Sequence, residues 1–178
     1  MTDQPELTKT ETIFDGRLFK LKLDTLLTRE GVKFQREMVY HPGAVCMIPI
    51  DADGQLLLVE QYRHGARTRL LEIPAGTLEP GEDPIETAAR ELREEIGMRA
   101  AKIESLGGFW IAPSYATEYL HLYLCSALTR DPLPGDEDED IEIVRITPME
   151  ALSAIDSGLI SDAKSIAGIL RWDRLQKS

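Results

Sequence analysis

Short apolar runs separated by turn residues fill the first half of the chain, and one stretch with helical spacing interrupts them. Residues 19–27 and 32–40 are rich in β-forming side chains and are bounded by Asp15-Gly16 and Arg29-Glu30-Gly31, which predicts a small antiparallel meander after a frayed end at residues 1–10. Residues 44–50 and 55–62 read as two apolar strands around Asp51-Ala52-Asp53-Gly54, a hairpin turn in which glycine supplies the positive φ. A short strand at 70–73 leads into Pro74-Ala75-Gly76.

The helix that follows is marked at both ends. Asp83 is the expected N-cap, Pro84 the first helical residue, Glu86 the partner in a capping box and Gly97 the left-handed stop. Ile85, Ala88, Ala89, Leu92 and Ile96 fall on one stripe. Further strands are expected at 101–110, 119–127 and 141–146, then a helix capped by Thr147 with Pro148 first, and a last helix over 162–175. Mixed strands with helices available to both faces give the α/β class: an α/β/α sandwich with a mixed sheet, plus the N-terminal antiparallel β meander. The boundary is expected near residue 41, with 1–41 as meander and 42–178 as the main domain.

At 178 residues and 43% apolar content the chain is long enough for one domain and a small appendage. Its two cysteines, Cys46 and Cys125, lie in apolar strand-like runs and are expected as buried free thiols. No apolar run approaches the roughly 20 residues that a membrane helix needs, and the first ten residues are polar, so a cytoplasmic protein is expected.

Charge changes the picture more than composition does. The formal net charge is −11, and residues 76–98 carry −5 of it and residues 136–142 the other −6. With no basic run, the chain lacks the counterion-displacing surface that nucleic acid requires, and an anionic membrane would repel it. His41, His64 and His121 share no metal-ligand spacing, and no phosphate-binding glycine motif of the usual kinase or dehydrogenase kind occurs.

On a helix, Glu91 and Glu95 are separated by about 40° and Glu94 lies about 60° to the other side of Glu91, so three carboxylates fan over one flank. Arg90 and Arg93 fall largely on the opposite flank. Like charges so spaced repel unless something neutralises them, and an oxygen-only donor set suits Mg²⁺ or Mn²⁺ rather than Zn²⁺.

Gly76, Glu82 and Arg90-Glu91-Leu92-Arg93-Glu94-Glu95-Ile96-Gly97-Met98 fill every specified position of the Nudix box, G-x5-E-x7-R-E-U-x-E-E-x-G-U with U apolar. At average residue frequencies a random chain of this length would hold that pattern on the order of once in ten million. The sequence therefore resembles the Nudix hydrolases, over residues 13–170. The resemblance implies water attack on the pyrophosphate of a nucleoside diphosphate linked to another group, assisted by Mg²⁺, with Mn²⁺ able to substitute. It implies Glu91 and Glu95 as metal ligands, Glu94 as ligand or support, the Ala75 carbonyl as a further ligand, and Arg90 as the residue that orients the glutamates. Glu82 either reaches this cluster or packs its loop against the helix start.

Glu60-Gln61-Tyr62-Arg63, Leu71-Glu72-Ile73-Pro74-Ala75-Gly76, Pro113 and Ser165-Ile166-Ala167-Gly168 resemble the ADP-ribose pyrophosphatase branch. That branch implies ADP-ribose as substrate, with AMP and ribose 5-phosphate as products. Pro113 is followed by Ser114-Tyr115-Ala116-Thr117-Glu118, with serine where glycine is usual, and this keeps GDP-mannose or another nucleoside-diphosphate sugar as an alternative. A nucleotide-sensing module without catalysis is the alternative of another class, disfavoured because every box glutamate is present. The same branch implies a loop glutamate, Glu137 or Glu139, as general base or metal ligand. It also implies Arg63, Arg36, Glu118 and Phe19 as substrate contacts, and a homodimer in which the swapped meander brings Arg36 and Phe19 to the neighbour's site.

Overall fold

The computed structural model describes residues 4–135 and 140–177. These divide into two compact units, one within Met1–Gly43 and Trp110–Tyr119, the other within Ala44–Phe109 and Leu120–Ser178.

The first unit is built on three antiparallel strands, β1 (Glu6–Asp15), β2 (Lys20–Leu27) and β3 (Lys33–Tyr40), in the order β1-β2-β3. Strand β1 replaces the frayed end expected from sequence. Its residues alternate Thr with Lys, Glu and Ile and offer no continuous apolar face, so it reads as polar coil until β2 supplies the pairing. Thr8 and Thr10 add side-chain bonds to it, Thr8 Oγ1 donating to the Thr25 carbonyl at 3.0 Å and Thr10 Oγ1 to Asp24 Oδ1 at 2.8 Å. Residues 110–119 are stitched to β3: the Val39 N–H donates to the Tyr115 carbonyl at 2.7 Å and the Thr117 N–H to the Val39 carbonyl at 2.9 Å.

The second unit has two sheets. One has the order β10-β5-β6 (β10 Ile141–Ile146, β5 Leu56–Arg63, β6 Thr68–Glu72), antiparallel throughout. The other runs β7-β4-β9-β8 (β7 Ala75–Thr77, β4 Ala44–Pro49, β9 Tyr119–Arg130, β8 Met98–Trp110), with β4 parallel to β9 and antiparallel to β7. The three helices are α1 (Pro84–Glu95), α2 (Pro148–Asp156) and α3 (Ala163–Gln176).

Strand β4 is buried along its whole length because both of its faces are covered, which is why it reads as an unbroken apolar run. Val45 and Met47, with Leu57 and Val59 of β5, pack against Ala88 and Leu92 of α1 and Ile96 at its C-cap. Cys46 and Ile48, with Leu56 and Leu58, pack on the other side with Ala151 and Ala154 of α2 and Ile169 and Trp172 of α3. The expected layering of helix, sheet and helix is present. Both thiols are buried, and desolvation pushes each up to about 12. Among the described residues no helix is long and apolar enough to cross a membrane.

Helix ends follow the sequence with two differences. Thr147 and Glu150 form a reciprocal capping box at α2, Asp162 caps α3, and Gly97 has φ +66° after α1. Asp83 caps α1 by taking the Ile85 N–H at 3.0 Å rather than that of Glu86. Ile85 is also exposed, and Thr87 takes the buried place in the first turn, so the apolar stripe of α1 is Ala88, Leu92 and Ile96.

Candidate active site

Helix α1 is locked to the sheet by Ala88, Leu92 and Ile96, and that fixes where its acidic flank points. Glu91 lies against Gly76 at the middle of β7: a Cβ at residue 76 would overlap the Glu91 carboxylate, so only glycine permits this approach. Glu95, almost fully buried, accepts the Ala75 N–H through Oε2 at 3.0 Å. Adjacent residues of β7 thus seat two glutamates one helical turn apart, and a cross-sheet row continues from Gly76 through Val45 to His121.

Arg90 occupies the centre of the cluster. Its Nε and one terminal nitrogen donate to the two oxygens of Glu82 at 3.0 and 3.1 Å, and the other terminal nitrogen donates to Glu91 at 2.8 Å and Glu94 at 2.7 Å. Arg90 does not lie on the opposite flank, as expected from sequence: four residues before Glu94, it sits about 40° from it around the helix. Its side chain pairs with Glu94 one turn on and extends to the loop residue Glu82. Its hydrogen bonds hold the Glu82 carboxyl far below its ordinary range, at about 2, and the three carboxylates raise the Arg90 guanidinium in turn. Arg93 goes elsewhere, its Nε donating to the Asp131 carbonyl at 3.1 Å.

The remaining expected site residues are distributed as follows. Arg63 lies on the buried Glu72, whose Oε2 accepts from its Nε at 2.9 Å and a terminal nitrogen at 2.7 Å. Three others belong to the first unit. Arg36 is exposed, donates to the Gln35 carbonyl and lies 4.6 Å from the Phe34 ring centroid. Phe19 packs obliquely on Phe14 with centroids 6.2 Å apart, and the Glu118 carbonyl accepts the Ile111 N–H. Glu137 and Glu139 lie outside the described residues.

Sequence reasoning noted Glu72 and Ser165 only as branch markers and passed over Lys164. Glu72 Oε2 also accepts from Lys164 Nζ at 2.9 Å, and Ser165 Oγ accepts the Ile73 N–H at 2.9 Å. The signal available was a charge inside an apolar strand run, Glu72 between Leu71 and Ile73, which calls for a buried partner.

Among the described residues no three acidic, histidine or cysteine side chains are drawn together closely enough to hold a metal ion; Arg90 lies among the carboxylates. The residues nevertheless fit a hard divalent cation: every donor is oxygen, two are seated on β7, and glycine leaves room at the seat. A cluster of this kind can bind and polarise phosphate oxygens once a cation offsets its charge.

Comparison with known proteins adds three findings. A family model described as NUDIX domain matches residues 39–169. A methanol dehydrogenase activator of Bacillus methanolicus is 41% identical, over 90% of this chain and 88% of that protein, and an ADP-ribose pyrophosphatase of Bacillus subtilis (strain 168) is 36% identical, over 89% and 87%. A crystal structure of an ADP compounds hydrolase superposes with a TM-score of 0.87 at 28% identity, covering 98% of this chain and 95% of that one.

Proposed function

The chain belongs to the NUDIX family of hydrolases, and from that premise we propose that it hydrolyses the pyrophosphate bond of ADP-ribose to AMP and ribose 5-phosphate. The observation that carries the reading is the set of four glutamates, Glu82, Glu91, Glu94 and Glu95, gathered by Arg90 and β7 on one rigid flank of α1 and its entry loop. The resemblance to an ADP-ribose pyrophosphatase and to an ADP compounds hydrolase selects the substrate.

A divalent cation, Mg²⁺ with Mn²⁺ as substitute, belongs to this proposal, held by Glu91, Glu95, Glu94 and the Ala75 carbonyl. When bound it neutralises pyrophosphate oxygens and acidifies a coordinated water. Glu91 and Glu94, held by Arg90 here, would turn to the cation, while Arg90 would keep its two-point contact with Glu82. Glu95 stays oriented by the Ala75 N–H. Arg63 contacts phosphate with a guanidinium steadied by Glu72. Glu137 or Glu139 serves as the base or a further ligand.

A homodimer completes the proposal. The first unit buries little of its own apolar surface, and Leu7, Ile13, Phe14, Leu18, Val32, Trp110 and Tyr115 are each about half exposed or more. A three-stranded sheet so poorly covered gains most from a second copy, and Arg36, Phe19 and Glu118 would then serve as substrate contacts, the first two in the neighbour's site. A cytoplasmic location suits the two free, buried thiols.

The relative named as a methanol dehydrogenase activator favours a second reading, in which the chain raises the activity of a dehydrogenase. A panel of ADP-ribose, GDP-mannose, other sugar nucleotides and dinucleotides, with product identification, tests the first reading. A dehydrogenase assay with and without the chain tests the second. ADP-ribose must head the panel; preference for GDP-mannose would transfer the assignment to the sugar-nucleotide alternative.

A further inference from the structure

The segment from Glu72 to Gly76 is held from two sides. Towards α1, Ala75 gives its N–H to Glu95 and Gly76 makes room for Glu91. Towards α3, Ser165 Oγ accepts the Ile73 N–H and Lys164 Nζ meets Glu72, each at 2.9 Å. Between them, Pro74 accepts the Met47 N–H from β4 at 2.9 Å. The start of α3 is itself fixed, because Asp162 Oδ1 caps the Ser165 N–H at 3.1 Å and pairs with Lys164 at 2.9 Å. One turn on, Gly168 lets the helix lie flush: a Cβ there would come within 2.9 Å of Ile73 Cδ1.

From this arrangement we infer that Lys164 and Ser165 are positioning residues for the cation-holding glutamates, acting through Glu72–Gly76 from the far side of the sheet. The inference rests on the reading that Glu91 and Glu95 hold a divalent cation. Ser165 is fully buried and Glu72 nearly so, and a bond lost at such a depth leaves a desolvated polar group behind. A displacement of Ile73 is passed along two residues of chain to the N–H that orients Glu95. Ion pairs this deep are a poor source of stability, since desolvation offsets much of their attraction. What Lys164 supplies is placement: it ties Glu72 on the strand to Asp162 at the head of the helix. Groups that orient metal ligands from behind govern affinity strongly, and misplacing a ligand weakens binding even where the fold is intact.

The test is a Mn²⁺ titration of the full chain without substrate, following free Mn²⁺ by electron paramagnetic resonance, alongside thermal melting. Lys164→Met and Ser165→Ala are expected to weaken Mn²⁺ binding by about tenfold at a temperature where both remain folded, and Lys164→Arg to restore most of the loss. Folded Lys164→Met and Ser165→Ala variants that bind Mn²⁺ as the wild type does would overturn the inference, whatever their melting temperatures. If Lys164→Met does not fold, Ser165→Ala decides alone, since it deletes one acceptor and adds no charge. A wild-type chain that binds no Mn²⁺ is a different result: it removes the carboxylate reading, and this inference with it.

Discussion

Arg90 and Glu82 are joined by a two-point contact, Nε to Oε1 at 3.0 Å and a terminal nitrogen to Oε2 at 3.1 Å, which ties the loop before α1 to the middle of the helix. The planar fork makes this contact and reaches Glu91 and Glu94 as well, which a lysine ammonium cannot do from the same backbone position. Arg90→Lys should therefore keep the charge and lose the geometry. We expect kcat/KM to fall by about 10–100-fold with a folded protein, checked by steady-state kinetics and circular dichroism.

The same contact makes stability depend on pH. Glu82 is held at about 2 in the folded chain against an ordinary 4.5, so the unfolded chain takes up its proton first as pH falls. The contribution is fully present above about pH 4.5 and is lost progressively towards pH 2. Denaturant unfolding across pH 2–6 should show a shallower fall in Glu82→Gln than in wild type; equal slopes would remove Glu82 from the titrating set.

Gly76 faces Glu91 with no room for a side chain. Gly76→Ala should push the carboxylate out of its seat at a cost of about 1–3 kcal/mol in stability and weaken Mn²⁺ binding by at least about tenfold. Calorimetric unfolding and metal titration read the two effects separately.

The first unit should be where dimerisation is won or lost. Light scattering should find an assembly of two 19.9 kDa chains, and a Phe14→Asp, Leu18→Asp double variant should shift it to monomer. A wild-type monomer at micromolar concentration would discard the dimer.

What the sequence made legible were features with local grammar. The caps at Asp83 and Thr147, the unbroken apolar run of β4 and the glutamate spacing of α1 each follow from a few neighbouring residues. Features that depend on distant partners were not legible. Strand β1 has no apolar face and is defined by its pairing with β2, and β7, three residues beginning at Ala75, shows only when Ala44, Val45 and Cys46 pair with it. The bond from Ile73 to Ser165 spans 92 positions, so no spacing rule exposes it. The pairing of Arg90 with Glu94 follows from their four-residue spacing, whereas its contact with Glu82, eight residues back in the loop, does not.

Glu95 isolates the charge from the fold. Glu95→Gln keeps an oxygen that can accept the Ala75 N–H, so the seat on β7 survives while a ligand's negative charge is removed. With ADP-ribose and Mg²⁺, and AMP and ribose 5-phosphate quantified together, wild type should release the two products in equal amounts only when the metal is present. Glu95→Gln should be slower by at least about 100-fold. Equal turnover by the variant, or undiminished turnover by wild type in EDTA, would contradict the account.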